Sequence, residues 1–138
     1  MKLVFWLVCV VIALCTPLSP ATADITIVRI TSGLHQNFTG DFRNDDLAQE
    51  LTPSGKLGQL VFVPKNMSRI WVIDPALIDE VVAMSGSYKL ATDAAPVGQQ
   101  IATSWLSQLK RVSAANDVVA LAYGNPDVKL AKRLAPMS

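Results

Sequence analysis

Beyond residue 23 the chain has no cysteine, because both of its two, Cys9 and Cys15, lie near the amino terminus. The remainder therefore has no disulfides and no thiolate ligands or nucleophiles. Histidine is almost as scarce. His35 is the single one, and no HxxxH or comparable cluster exists, whereas a zinc or iron site normally takes several His, Cys or carboxylate ligands. There is no glycine-rich phosphate loop and no nucleophile elbow. An excess of one charge is lacking too: Lys and Arg number 12 and Asp and Glu 11. With Lys2 set aside the signs balance. A neutral chain without a basic stripe gives no footprint for nucleic acid, and without a polybasic run none for an anionic membrane surface. No metal and no cofactor is expected.

The amino-terminal 23 residues have the make-up of a cleaved export signal. Lys2 supplies a positive start, Leu3 to Leu14 an apolar core, and Ala21-Thr22-Ala23 a small-x-small cleavage site. The apolar core is too short, and too soon followed by Pro17 and Pro20, for a good spanning helix. The expectation is a protein secreted or held in the cell envelope, with no stable membrane span once residues 1–23 are removed. Residues 24–138 then suffice for one domain with a modest core. They fall well short of a full eightfold β/α barrel, which needs roughly 250 residues.

That domain is organised by a junction that occurs twice. Arg69 to Ile73, RIWVI, is a short buried-looking run that meets Asp74-Pro75 and passes directly into helical spacing. After a turn at Asn116-Asp117, Val118 to Tyr123, VVALAY, meets Asn125-Pro126 in the same way. Asp and Asn are favoured helix caps, and proline suits the first helical position, where its missing amide proton is no loss. Between the two junctions, Leu77, Ile78, Val81 and Val82 form one helical stripe that Gly86 ends. Ile101, Trp105, Leu109 and Val112, with Leu106 beside them, form the stripe of a helix over Val97 to Ala114. Strand, helix, strand in this order makes the strands parallel.

Upstream, Asp24 to Thr31 reads as a first strand and Ser32 to Asn44 as a loop. Leu47 and Leu51 mark a short helix capped by Asn44 or Asp45. Lys56 to Val63 reads as helix, with its last four residues, LVFV, equally able to be extended. Pro64 to Ser68 is a turn, and Tyr88 to Leu90 a short extended piece within a loop. The fold class expected is α/β, a small parallel sheet with flanking helices resembling a partial (β/α) barrel. Two or three full helices are few to cover both faces of such a sheet, so an exposed apolar face, and an oligomer or partner upon it, is expected.

Four blocks carry a family resemblance: DLAQELTPSGKL from Asp46, WVIDPALIDEVVAMSGSYKL from Trp71, ATSWLSQLKR from Ala102 and DVVALAYGNPDV from Asp117. In order and spacing they resemble the central region of large, uncharacterised actinobacterial envelope proteins. In that family the region is similar to the β/α barrels of polysaccharide deacetylases and related glycoside hydrolases. The likeness runs from about Asp45 to Ala135. It implies an exported envelope protein with its site on the rim at the strands' carboxyl ends. This chain looks like a short or truncated version, and it has Asn125 where the family usually has an acidic residue.

The rim supplies the candidate residues. Asp74 and Asp127 are the candidate catalytic carboxylates; each has a simpler explanation, as a helix cap and as an acid in a first helical turn. His35, beyond the first strand, and Asn125 are candidate ligand contacts. Trp71 and Tyr123 could stack on a sugar ring, although a tryptophan within an apolar strand is more often core. Two functions stay open. One is a non-catalytic module that binds cell-wall glycan or another envelope protein; the other is a carbohydrate-active hydrolase or deacetylase using Asp74 with Asp127.

Overall fold

The computed structural model describes residues 25–63, 68–126 and 132. The expected export signal and Asp127 lie outside them. Three strands, β1 (Thr26–Ile30), β2 (Arg69–Ile73) and β3 (Asp117–Ala120), form one sheet in the order β1-β2-β3. Both pairings are parallel, with Val28 opposite Trp71 and Trp71 opposite Val118. The chain returns from β1 to β2 through α1 (Asp46–Leu51) and α2 (Lys56–Phe62), and from β2 to β3 through α3 (Pro75–Ser85) and α4 (Gln99–Ser113). The architecture is α/β with a small parallel sheet and flanking helices, and among the described residues the sheet does not close into a barrel.

The alternation of side chains along the strands decides where the core lies. Val28, Ile30 and Trp71 point to one face and are buried there with Leu47, Leu51, Leu77, Val81, Met84 and Trp105 from the helices. Ile27 and Val119 point to the other face and are 68% and 50% exposed. Among the described residues that second face carries no helix. β3, at the edge, is exposed along its length.

Several local readings are settled by packing. LVFV continues α2 as far as Phe62, because Leu57, Gly58 and Val61 fall on one helical face and are buried together. Gly58 is required there: a Cβ at this position would lie 1.7 Å from the carbonyl oxygen of Thr52, at the close turn between α1 and α2. α4 in turn closes over α2, where the Trp105 indole donates to Leu57 O at 3.1 Å and the Gln108 amide to Val61 O at 2.8 Å. The second bond occupies a carbonyl in the last turn of a short helix, which otherwise needs water or a cap. The extended piece near Tyr88 is a single bridge, with Leu90 lying parallel to Phe42.

Two expectations are corrected. The buried stripe of α3 is Ala76, Leu77, Glu80, Val81 and Met84, and Val82 is 52% exposed. The helix is rotated so that an acid, Glu80, replaces a valine on the inner face. β3 ends at Ala120 rather than Tyr123. Past it, Gly124 (φ 71°) and Asn125 (φ 43°) adopt the left-handed conformation, which glycine and asparagine tolerate best.

Candidate functional site

The carboxyl ends of all three strands open on one rim. The loop after β1 carries His35, β2 runs directly into Asp74 at the start of α3, and the turn after β3 carries Tyr123 and Asn125. Asp74 joins two of these segments. It is 2% exposed, and its Oδ1 accepts from the Ala76 amide at 3.0 Å and from the Gly124 amide at 3.0 Å. The first bond is the helix cap expected from the Asp-Pro pair; the second fastens the turn after β3 to it. Strand ladders brace both sides, through Asp74 N to Ile30 O at 3.0 Å and Leu121 N to Ile73 O at 2.8 Å.

Asn125 accepts from Arg29 Nη2 at 2.7 Å through its Oδ1. Its backbone is left-handed rather than in the extended region usual for a helix cap. Trp71 is fully buried on the helix-covered face, and Arg69 lies over its ring at 5.6 Å from the centroid. It therefore presents no face to a ligand at the surface. Tyr123 does: it is 66% exposed, and its hydroxyl donates to Asp79 Oδ2 at 2.9 Å. That bond, with the charge of Asp79 beside it, raises the pKa of the phenol.

His35 leads to a residue that sequence reasoning missed. Glu80, buried on α3, takes the loop after β1 in a three-point hold. Its Oε1 accepts from the His35 amide at 2.9 Å and the Gln36 amide at 3.1 Å, and its Oε2 lies 3.0 Å from His35 Nδ1. Burial alone would raise its pKa, but the hydrogen bonds from the His35 ring and the two amides outweigh burial, and the carboxyl is held below the ordinary value. The signal was available, since an acid at the i+3 position from Leu77 interrupts an apolar face and needs a partner.

These segments enclose an open cleft of about 680 Å³. Glu80, Asp79 and Ala76 form its floor on α3, Leu34, Phe38 and Arg43 come from the loop after β1, and Tyr123 comes from the turn after β3. Leu34 and Phe38 are large apolar side chains turned to solvent, at 66% and 112% exposure. The loop that carries Phe38 is folded on itself: Asn37 Oδ1 accepts from the amides of Thr39 at 3.0 Å and Asp41 at 2.9 Å. The structure thus brings Tyr123 and the Glu80 partner of His35 to one cleft and places Asp74 beneath it. Trp71 stays in the core.

Among the described residues, no group of three or more His, Cys, Asp or Glu side chains is placed to hold a metal ion. No helix among them is long and apolar enough to cross a membrane. Comparison with protein families, with curated proteins and with solved structures finds no match for this chain.

Proposed function

We propose that the chain is an exported cell-envelope protein, related to the actinobacterial envelope family, and acts as a non-catalytic binding module whose ligand sits in the cleft at the carboxyl rim. The single observation that carries this is the cleft itself. Three exposed apolar side chains, Leu34, Phe38 and Tyr123, converge on it beside polar groups. Ligands of open α/β sheets bind outside the carboxyl ends of the strands, and solvent-facing apolar groups gathered in one place mark interaction sites.

The state of the carboxylates favours binding over hydrolysis. A glycosidase needs an acid whose pKa is raised enough to donate a proton. Glu80 is shifted the other way, and its oxygens are taken by His35 and Gln36. Asp74 is buried under two backbone amides. Of the two ligand classes, cell-wall glycan is favoured over an envelope protein by the exposed ring of Tyr123.

The test is co-sedimentation of the purified protein with isolated cell-wall polysaccharide, paired with a reducing-end and acetate-release assay on the same material. Retention without products is expected, with retention lost in Tyr123→Ala. Release of sugar or acetate that disappears in Asp74→Asn would establish the hydrolase or deacetylase instead.

A further inference from the structure

We infer that two copies of this chain pair through the outer edge of β3, antiparallel about a two-fold axis at Val119, and so join their two three-stranded sheets into one.

The backbone of β3 sets the register. Leu121 N donates to Ile73 O at 2.8 Å, so Leu121 turns its peptide groups toward β2. Alternation along a strand then turns Val119 the same way, and Val118 and Ala120 outward. Among the described residues the N–H and C=O groups of Val118 and Ala120 have no partner. On either side the outward run is interrupted, because Asn116 N bonds Ser113 O at 3.0 Å and Ala122 O accepts from Asn125 N at 2.9 Å. Antiparallel strands exchange paired bonds between residues directly opposite. With Val119 opposite its own copy, Val118 stands opposite Ala120 of the second copy, and every free group finds a partner. Moving the axis to Val118 or Ala120 brings in Asn116 or Ala122, each with a group already occupied. The edge is therefore complementary to itself, as a two-fold interface requires.

The side chains fit the same register. Val119 meets its own copy on the open sheet face as a β-branched cross-strand pair. Val118 lies beside Trp71 toward the helices, yet it is 52% exposed where Trp71 is fully buried. The helix layer stops short of β3 and leaves room for a neighbour. Asp117, the one charge on the strand, falls opposite Leu121, so no like charges meet. The other edge is guarded, since β1 carries the charged Arg29 at an exposed position, a common block to edge pairing. β3 has no lysine, proline or bulge, and only its shortness limits association. Past β3 the described chain turns back over the sheet, to the bond between Asn125 and Arg29 on β1, and away from this edge. Four residues from each copy make an interface smaller than the roughly 1,200 Å² of stable complexes, so the dimer is a reversible one. Antiparallel pairing points its two carboxyl rims in opposite directions.

The experiment uses the whole protein carrying Cys9→Ser and Cys15→Ser, in which Val119→Cys supplies the single thiol. Opposed residues of such a pair have Cβ atoms about 4.5 Å apart, within reach of a disulfide. Under mild oxidation Val119→Cys is expected to cross-link at least about tenfold faster than Ile27→Cys, an exposed site on the far strand, because pairing raises the local thiol concentration. Sedimentation velocity of the parent should show the mass rising from one chain toward two with concentration. Ala120→Pro deletes an outward N–H that the fold itself does not use, and it should stay a single chain. Val119→Lys sets two like charges face to face without touching the backbone, and it should be monomeric as well. Cooperative melts and far-UV circular dichroism check that both variants fold.

A parent protein that is monomeric at every concentration overturns the inference, as does a dimer that persists in both folded variants. Cross-linking at Ile27→Cys as fast as at Val119→Cys would place the contact on the open face instead and overturn it too. Hydrogen exchange completes the test. Protection of the Val118 and Ala120 amides should grow with protein concentration, and protection independent of concentration would mean that another segment holds the edge, which also overturns the pairing of two copies.

Discussion

Glu80 binds two consecutive amides and an imidazole from a loop 44 and 45 residues away in sequence. Removing its carboxylate in Glu80→Ala leaves these donors without their acceptor, and a loss of about 2–3 kcal/mol in urea unfolding is expected. Its lowered pKa also fixes the direction of a pH effect. The stabilisation is fully present above the ordinary value of 4.5 and is lost as pH falls through the lower folded value. The parent protein should lose stability on acidification over that window, and Glu80→Ala should show a shallower slope. Tyr88 works in the opposite range. It donates to Asp45 and accepts from the Gly98 amide at 2.7 Å; burial, with the Asp45 bond, pushes its phenol up to about 12. The folded state keeps the proton that the unfolded chain gives up near pH 10, so stability should fall between pH 10 and 12. Tyr88→Phe keeps the edge-on packing against Phe42 and should flatten that alkaline decline in thermal melts. The cap role of Asp74 was legible from Asp-Pro alone. Its bond to Gly124 was not, because local spacing says nothing about a partner 50 residues away.

The elements can be ranked by what their sequences specify on their own. α4 was read within two residues, since its apolar positions recur over four turns and no competing pattern interrupts them. α3 was recognised but rotated: Ile78 and Val82 compete with Glu80 and Met84 for the inner face, and a hydrophobicity pattern ranks an acid last. Only the loop after β1 makes Glu80 the better inward residue. LVFV was ambiguous because a short apolar run fits both periods, and burial against α4 resolved it. Substitutions separate these contributions. Asp74→Asn keeps an acceptor at Oδ1 and should change the midpoint of unfolding little. Asp74→Ala removes both the cap and the Gly124 bond and should cost about 2–3 kcal/mol, above the roughly 1 kcal/mol typical of a cap alone. Gly58→Ala forces a Cβ into the Thr52 carbonyl and should cost about 3 kcal/mol or more in chemical denaturation. Gly33→Ala, with nothing within 4 Å, should stay within about 0.5 kcal/mol of the parent.

At the scale of the molecule, the two similar junctions were enough to foresee a parallel sheet with its strand ends on one side, because parallel neighbours joined by helices leave no other arrangement. The lopsidedness of the sheet was foreseen only as a shortage of helices. Which face stays open depends on the register that puts Val28, Trp71 and Ile30 inward. Ile27→Lys on the open face should therefore shift stability by no more than about 1 kcal/mol, whereas Val28→Lys on the covered face should prevent cooperative folding. A large loss from Ile27→Lys in thermal melts would mean that something packs on that face. The cleft was legible in outline, through Tyr123 and His35 at strand ends. Phe38 was not, since a phenylalanine in a polar loop carries no periodicity to be read.

The shared rim depends on one carboxylate that holds the exits of two parallel strands together. The most direct measurement is the through-hydrogen-bond scalar coupling between backbone amide nitrogens and the side-chain carboxyl carbon of Asp74. Couplings from both Ala76 and Gly124 are predicted, with slow exchange of the Gly124 amide. A Gly124 amide that exchanges freely and shows no coupling to Asp74 would contradict the common rim, and with it the cleft on which the proposed function depends.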